Sequence, residues 1–163
     1  MARIIPLSEG SFTVDATKKF LPFDITHDRL ADRSRGSLLV EIQPFLVITA
    51  GDCILLDTGL GFEDVPGQMR LHQLMRSHGV DPSSVTKVLM SHLHKDHAGG
   101  IQRTDDASGE RTLSFPNATY YVNAQELEFG FAQDGKSYDA QNFSLLREAP
   151  NVVLTSAEGE IGG

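Results

Sequence analysis

The chain has 163 residues, of which 40% are hydrophobic, and it carries a formal net charge of −8 at pH 7. This length and apolar content are typical of one globular domain with its own core, and they exclude a disordered or membrane-embedded chain. The negative charge argues against nucleic acid as a partner, because its phosphates would repel the acidic residues.

The single cysteine, Cys53, excludes a disulfide within the chain and favours a reducing compartment. Residues 1–6 lack the apolar segment of a secretion signal, and no apolar run is long enough to span a membrane. We therefore expect a cytoplasmic protein that does not contact a membrane.

The N-terminal stretch predicts two strands and a loop. Residues 4–7 and 11–14 flank three loop residues, which is the arrangement of a β-hairpin. Residues 16–36 are crowded with charges, interrupted by Phe20 and Phe23, and predict a solvated loop anchored by these aromatic rings.

Three apolar runs follow, at residues 38–42, 45–49 and 53–56. Such continuous runs predict strands buried on both faces, and the turn between the last two predicts an antiparallel pair. Asp57 ends the third run, where a carboxylate needs a partner. Taken alone, this residue is also explained as a turn former before Thr58 and Gly59.

The next segment alternates between helix and strand. Residues 68–78 have helical periodicity, with Gly79 placed to end the helix, and we expect His72 and His78 on its surface. Asp81 predicts a capped single turn, and a strand over residues 85–90 follows it.

Four potential metal ligands lie within six residues: His92, His94, Asp96 and His97. In an extended segment alternate side chains lean to one face, as those of His92, His94 and Asp96 would, and His97 follows directly, so the four donors leave one short loop in slightly different directions. Four donors are too many for one tetrahedral zinc ion that must also hold water. The pattern therefore favours two adjacent ions, each with two donors from this loop.

The C-terminal part predicts further helices and strands. The expected elements are a short helix after Gly100, a polar loop at 102–112, a strand at 119–122, a helix capped by Asn123 with Glu126 as its capping-box partner, a helix from Asp139 and a strand at 152–154.

The His92-x-His94-x-Asp96-His97 run resembles the signature of the metallo-β-lactamase-fold superfamily of metallohydrolases. Leu55-Leu56-Asp57-Thr58-Gly59 is similar to the strand and turn upstream of the family's metal loop, and residues 115–122 are similar to the strand entry that follows it. The resemblance covers residues 37–130 in the family's order, and it is greatest to the lactonase and organophosphate-hydrolase branch.

The resemblance implies an α/β fold, an αββα sandwich of two halves with the site between them. Residues 1–163 would be a single domain that supplies the N-terminal, β-rich half and breaks off before the C-terminal half. The N-terminal excursion of that branch overhangs the site, which makes Phe20 and Phe23 candidates for a pocket wall.

The resemblance also implies roles for the residues of the loop. His92 and His94 would hold one zinc ion, Asp96 and His97 a second, with Fe or Mn as alternative metals. Asp96 would also accept a proton during catalysis, and Asp57 would lie beneath the loop and orient one ligand.

The implied function is hydrolysis of a small-molecule ester, lactone, thioester or phosphoester. The alternatives are an oxidoreductase of the sulfur dioxygenase type and a non-catalytic assembly module. The family's site also needs a third histidine, a bridging aspartate and a last histidine, but no histidine follows His97 in these 163 residues. We therefore expect weak metal binding, no activity of the isolated chain, and a homodimer in which a second copy replaces the missing half.

Overall fold

The computed structural model describes residues 2–105, 108–135 and 137–156, which form a mixed α/β structure. The strands are β1 (Arg3–Pro6), β2 (Gly10–Val14), β3 (Phe20–Pro22), β4 (Leu38–Ile42), β5 (Phe45–Ile48), β6 (Cys53–Leu56), β7 (Glu63–Val65), β8 (Gln68–Met69), β9 (Lys87–Leu89), β10 (Gln102–Thr104), β11 (Arg111–Leu113), β12 (Thr119–Asn123) and β13 (Val152–Thr155). The α-helices are α1 (Arg70–Ser77), α2 (Lys95–Ala98) and α3 (Ala124–Ala132), and 3-10 helices lie at Leu30–Asp32, Pro82–Ser84, Ala140–Asn142 and Ser144–Arg147.

The main sheet has six strands in the order β1-β5-β6-β9-β12-β13. The strands β1, β5 and β6 are antiparallel, as the sequence predicts for the last two, whereas β6, β9, β12 and β13 are parallel. The carboxyl ends of parallel strands meet at one edge of a sheet, and loops from that edge commonly form sites. In this chain the edge receives Asp57 after β6 and the His92–His97 loop after β9.

One face of the main sheet forms the core. Its cross-strand neighbours Ile5, Leu46, Leu55, Val88 and Tyr120 are each at most 4% exposed. They join Leu71 and Met75 of α1 and Leu127 of α3 in a single hydrophobic cluster. The helices therefore cover this face of the sheet.

The other face is less covered. A row of neighbours crosses all six strands there: Pro6, Phe45, Leu56, Leu89, Tyr121 and Val153. Phe45 and Val153 are 38% and 42% exposed. Burial on both faces, predicted for the apolar runs, is therefore wrong at Phe45. It is also wrong at Leu38 and Leu39 of β4, which are 64% and 37% exposed, because β4 lies in the separate three-stranded sheet and outside the main hydrophobic cluster.

The predicted hairpin of residues 4–7 and 11–14 is wrong. The first strand pairs with β5, whereas β2 lies between β3 and β4 in a separate three-stranded sheet. The chain crosses from one sheet to the other between β1 and β2, alongside the crossing between β4 and β5. Backbone bonds Leu7 N to Pro44 O and Glu9 N to Ile42 O, each 2.8 Å, hold the two crossings together.

Several other expectations differ from the structure. Residues 20–22 of the charged loop form β3, and the polar loop predicted at 102–112 contains β10 and β11, which pair antiparallel. The helix expected after Gly100 is replaced by α2, which ends at Ala98 before the glycines. The helix predicted from Asp139 is two 3-10 helices, whose Phe143 and Leu146 are buried. His72 is 9% exposed, because its ring packs against Phe115, and is not a surface residue. No helix in the described ranges is long and apolar enough to cross a membrane.

Candidate metal centre

The four predicted ligands lie together at the edge of the main sheet. The ring centroids of His92 and His94 are 4.5 Å apart, and those of His92 and His97 are 4.0 Å apart. His97 Nε2 lies 3.6 Å from Asp96 Oδ2. Asp96 belongs to the first turn of α2, whereas the sequence prediction placed it in the extended segment. The helix begins before the glycines and brings Asp96 and His97 beside the two earlier rings.

The cluster combines three imidazoles and a carboxylate, a donor set that suits zinc and other transition metals. Within the described part of the chain, no group of three His, Cys, Asp or Glu side chains is arranged to hold an ion. The structure places the predicted donors close together but does not arrange three of them around one ion, and their role as ligands stays a prediction.

Asp57 lies directly beneath the loop. Its carboxylate accepts hydrogen bonds from His97 Nδ1, Ser91 N and Ser91 Oγ, each 2.8 Å long. Its backbone has φ +59°, a left-handed conformation that Asp and Asn adopt more readily than most residues. With a proton on Nδ1, His97 keeps the lone pair of Nε2 free on the side of Asp96. This is the orientation a metal ligand requires.

Electrostatics in the pair follow from this contact. Burial alone would lower the pKa of His97, but the hydrogen bond to Asp57 and the charge of this carboxylate outweigh it, so the pKa is raised. Burial would likewise raise the pKa of Asp57, but the bonds from His97 and Ser91 lower it. The pKa of His92 is lowered by burial and by the neighbouring imidazoles, which favours the neutral, metal-binding form.

Glu126 supports the loop in a way that the sequence did not reveal. Asn123 caps α3 as predicted and accepts bonds from the backbone of residues 125 and 126. The predicted capping-box role of Glu126 is wrong, because its carboxylate accepts the Leu93 backbone N–H at 2.8 Å instead.

Tyr138 packs beside the metal loop. Its ring lies against His94, with centroids 4.7 Å apart. Burial raises the pKa of Tyr138, and the hydrogen bond between Tyr138 and Glu126 raises it further.

A cavity of about 180 Å³ opens beside His94 and Asp96. Its apolar wall includes Phe20, and its full lining is Val14, Lys18, Phe20, Leu38, Val40, His94, Lys95, Asp96 and Ser137. Phe23, the other candidate wall residue, is not among the lining residues and is 9% exposed. The cavity gives the cluster an apolar approach from the small three-stranded sheet.

Comparisons with known proteins identify the family of the chain. The sequence profile of the Metallo-beta-lactamase superfamily matches residues 41–161. The N-acyl homoserine lactonases AttM of Azorhizobium caulinodans and of Agrobacterium fabrum are each 40% identical over 68 residues, which is 40% of this chain and 22% of theirs. The profile covers most of the chain, so the chain belongs to the metallo-β-lactamase superfamily.

Solved structures show the same fold. A probable metal-dependent hydrolase from Staphylococcus aureus is 21% identical with a TM-score of 0.65, covering 99% of this chain and 61% of its own. The dizinc quorum-quenching lactonase AidC, in complex with a product, N-hexanoyl-L-homoserine, is 23% identical with a TM-score of 0.57, covering 82% and 45%. The hydrolase AbOPH is 28% identical with a TM-score of 0.56, covering 79% and 44%. The chain thus spans less than two thirds of the proteins that it matches, and the predicted metallo-β-lactamase-like fold is confirmed.

Proposed function

We propose that the chain carries the first half of the metal centre of a zinc-dependent hydrolase that opens lactones or related small-molecule esters. The contact of Asp57 with His97 carries this proposal, because it leaves Nε2 free beside Asp96 within a cluster of imidazoles. Similarity to the AttM lactonases supports the substrate class.

The proposed ligands are His92 and His94 for one ion, and Asp96 and His97 for the other. Bound zinc would lower the pKa of water towards neutrality and polarise the carbonyl oxygen of the substrate. The protein's own contribution is to orient the donors: Asp57 fixes the His97 ring, and Tyr138 packs against His94. The Asp96 carboxylate is the proposed proton acceptor when the ester bond is attacked.

The substrate would approach through the apolar cavity. Phe20, Val14 and Val40 line it together with His94 and Asp96, and they suit an acyl chain or another apolar substituent of a lactone. Phe20→Ala should weaken binding of long-chain lactones more than that of short-chain ones, because only the longer chain reaches the removed ring.

Metal binding tests the centre directly. The purified chain is titrated with zinc and with cobalt, whose visible absorption reports imidazole and carboxylate ligation. His97→Ala should weaken binding strongly, whereas His78→Ala is the matched control at an exposed position. A wild-type chain that takes up no metal, or a His97→Ala variant that binds normally, would refute the metal centre.

We further propose that the 163-residue chain by itself binds zinc weakly and turns over little substrate. Within the described part no three donors are arranged around one point, and the loop offers only two donors to each ion. Zinc-dependent hydrolysis of N-acyl homoserine lactones by the pure chain, lost in His97→Ala, would establish the hydrolase and contradict the expected inactivity.

A homodimer is the proposed state of the isolated chain. The row across the second sheet face exposes Phe45 and Val153, and its neighbour Ile4 is 65% exposed. Burial of such a face contributes about 25 cal/mol per Å², and soluble monomers rarely expose large apolar patches. Sedimentation at micromolar concentration should show a dimer, and Phe45→Glu should dissociate it. A monomeric wild-type chain would contradict this assembly.

A further inference from the structure

A buried carboxyl group lies behind the metal loop, far from it in sequence. Glu9, in the crossing between β1 and β2, is 3% exposed. Its Oε2 accepts the Leu60 backbone N–H at 2.7 Å, and its Oε1 is buried with no hydrogen-bond partner among the described residues. Arg70 Nη1 donates to the Glu9 carbonyl at 2.8 Å, so the backbone of Glu9 is also held.

The carboxyl packs flat on Gly59. A Cβ at this position would lie 2.2 Å from Glu9 Oε2, and the backbone there has φ +67°. Only glycine satisfies both conditions, because any side chain would meet the carboxyl and would also be strained in the left-handed region. The Glu9 carboxyl and the turn at residues 58–61 are therefore shaped to each other.

The same turn lies directly against the metal loop. Thr58 N and Oγ1 both donate to the His97 carbonyl, at 2.7 and 2.9 Å, and Gly99 N donates to Gly59 O at 2.8 Å. A Cβ on Gly99 would lie 2.2 Å from Leu60 O, so the two backbones are in contact with no space between them. A shift of Leu60 would thus move the segment that carries His97.

We propose that Glu9 is a positioning residue for the metal centre, which holds the turn at residues 58–61 against His97 and Gly99 and thereby sets the position of the His97 imidazole. The inference rests on the proposed metal centre for its consequence in zinc binding. The mechanical part of it can be measured without metal.

The protonation state of Glu9 gives a second signal. The pKa of Glu9 is raised to about 7, because burial and the charge of Asp64 together outweigh the opposing effects of the Leu60 hydrogen bond and Arg70. The Arg70 side chain is paired with Asp64, and the Glu41 carboxylate on β4 accepts a hydrogen bond from Ser8 Oγ. Neither side chain therefore forms a hydrogen bond with Glu9 Oε1. Ionisation of Glu9 near neutral pH should strengthen its bond to the Leu60 amide, because bonds to charged acceptors are stronger.

Two variants separate the roles of the acceptor and of the charge. Glu9→Ala removes the acceptor, whereas Glu9→Gln keeps an amide oxygen for Leu60 and removes the charge. Glu41→Ala and Glu41→Gln, on the neighbouring strand, are the matched controls. Amide hydrogen exchange at Leu60 and Gly99 should accelerate about tenfold or more in Glu9→Ala, as expected for a lost bond to a charged group, and Glu9→Gln should restore most of the protection.

The decisive readout is the position of His97. In metal-free protein the ring ¹⁵N resonances of His97 should shift in Glu9→Ala and return towards wild type in Glu9→Gln. Zinc affinity should fall about tenfold in Glu9→Ala, the scale typical of lost support behind a metal ligand. Faster exchange at Leu60 with unmoved His97 resonances would overturn the proposal, since Glu9 would then be only structural.

The pH signal covers the case in which Glu9→Ala does not fold. The Leu60 amide shift of the wild-type chain should titrate with a midpoint near pH 7, and the amplitude of this inflection should fall in Glu9→Gln but not in Glu41→Gln. His97, whose pKa is also raised, contributes equally to the profiles of all three proteins. Identical Leu60 profiles in the wild-type chain and in Glu9→Gln would overturn the proposal. If the wild-type chain binds no zinc, the proposed function fails, and the metal-free His97 resonances still decide the role of Glu9.

Discussion

Acid should lower the free energy of unfolding through His72, a residue that the proposed metal centre does not use. Its ring lies in α1, 9% exposed, with its centroid 5.0 Å from that of Phe115. Its pKa is lowered to about 4, chiefly by burial and in addition by the nearby charges of Arg76 and Arg103. Between pH 6.5 and about 4 the imidazole of His72 is therefore protonated in the unfolded chain but neutral in the folded chain.

The sign and size of the effect follow by linkage. A depressed folded-state pKa means that stability is fully present above pH 6.5 and is lost as the pH falls towards 4. Between the ordinary value of 6.5 and a pKa of about 4, the loss amounts to about 3 kcal/mol. This is a large part of the stability of a typical domain, about 5–15 kcal/mol.

Urea unfolding at pH 7 and pH 4.5 measures this contribution. Glu9 acts in the opposite sense, because its raised pKa makes the stability fall as the pH rises from 4.5 to about 7. The pH profile of the wild-type chain alone therefore does not isolate the contribution of His72. The informative quantity is the free energy of unfolding of wild type minus that of His72→Gln. It should decrease by about 2–3 kcal/mol from pH 7 to 4.5.

His78→Gln, at the exposed end of the same helix, is the matched control. If the profiles of wild type and His72→Gln run parallel between pH 7 and 4.5, then His72 is not held neutral by burial and the reasoning is wrong.

Three further perturbations test the support of the loop. Asp57→Asn keeps a residue suited to positive φ but removes the charge that orients His97, so zinc affinity in chelator competition should fall about 10–100-fold; unchanged affinity would contradict the orientation argument. Glu126→Ala leaves the buried Leu93 amide without its acceptor and should cost about 1–3 kcal/mol in urea unfolding, whereas Glu128→Ala on an exposed part of α3 should cost little. Gly61→Ala places a Cβ 2.1 Å from Gly99 O at a residue with φ +68°, so it should lower the free energy of unfolding by about 2 kcal/mol or more. Gly51→Ala, whose Cβ meets open space, is the control. Equal losses of stability at the two glycines would refute the close approach of residues 61 and 99.

Features that depend on a few neighbouring residues were predictable from the sequence. Asp81 accepts the Ser83 N–H at 2.8 Å, Asn123 accepts two amides of α3, and Gly79 ends α1 with φ +76°. The grouping of His92, His94, Asp96 and His97 is of the same kind, because all four lie on six consecutive residues. Bonds and spacings this short leave little choice to the rest of the chain.

Contacts between distant segments were decided only by the tertiary structure. Whether residues 4–7 pair with 11–14 or with β5 depends on which sheet each strand joins, and both pairings satisfy the same apolar pattern. The position of Glu126, three residues after Asn123, is typical of a capping box. In the folded chain its carboxylate instead accepts a hydrogen bond from the Leu93 amide, 33 residues away.

Glu9 and His72 show the same limit for buried polar groups. A glutamate beside a glycine and a histidine on an amphipathic helix are ordinary surface residues by their local sequence. Folding places Glu9 against Gly59 and His72 against Phe115, and burial then changes their pKa values. The sequence by itself determined the grouping of His92, His94, Asp96 and His97 and the local caps, because those interactions close within a few residues, and its family resemblance placed Asp57 beneath the loop. Only the tertiary structure decided that Glu126 accepts the Leu93 amide and Glu9 the Leu60 amide, because these contacts join residues 33 and 51 positions apart along the chain.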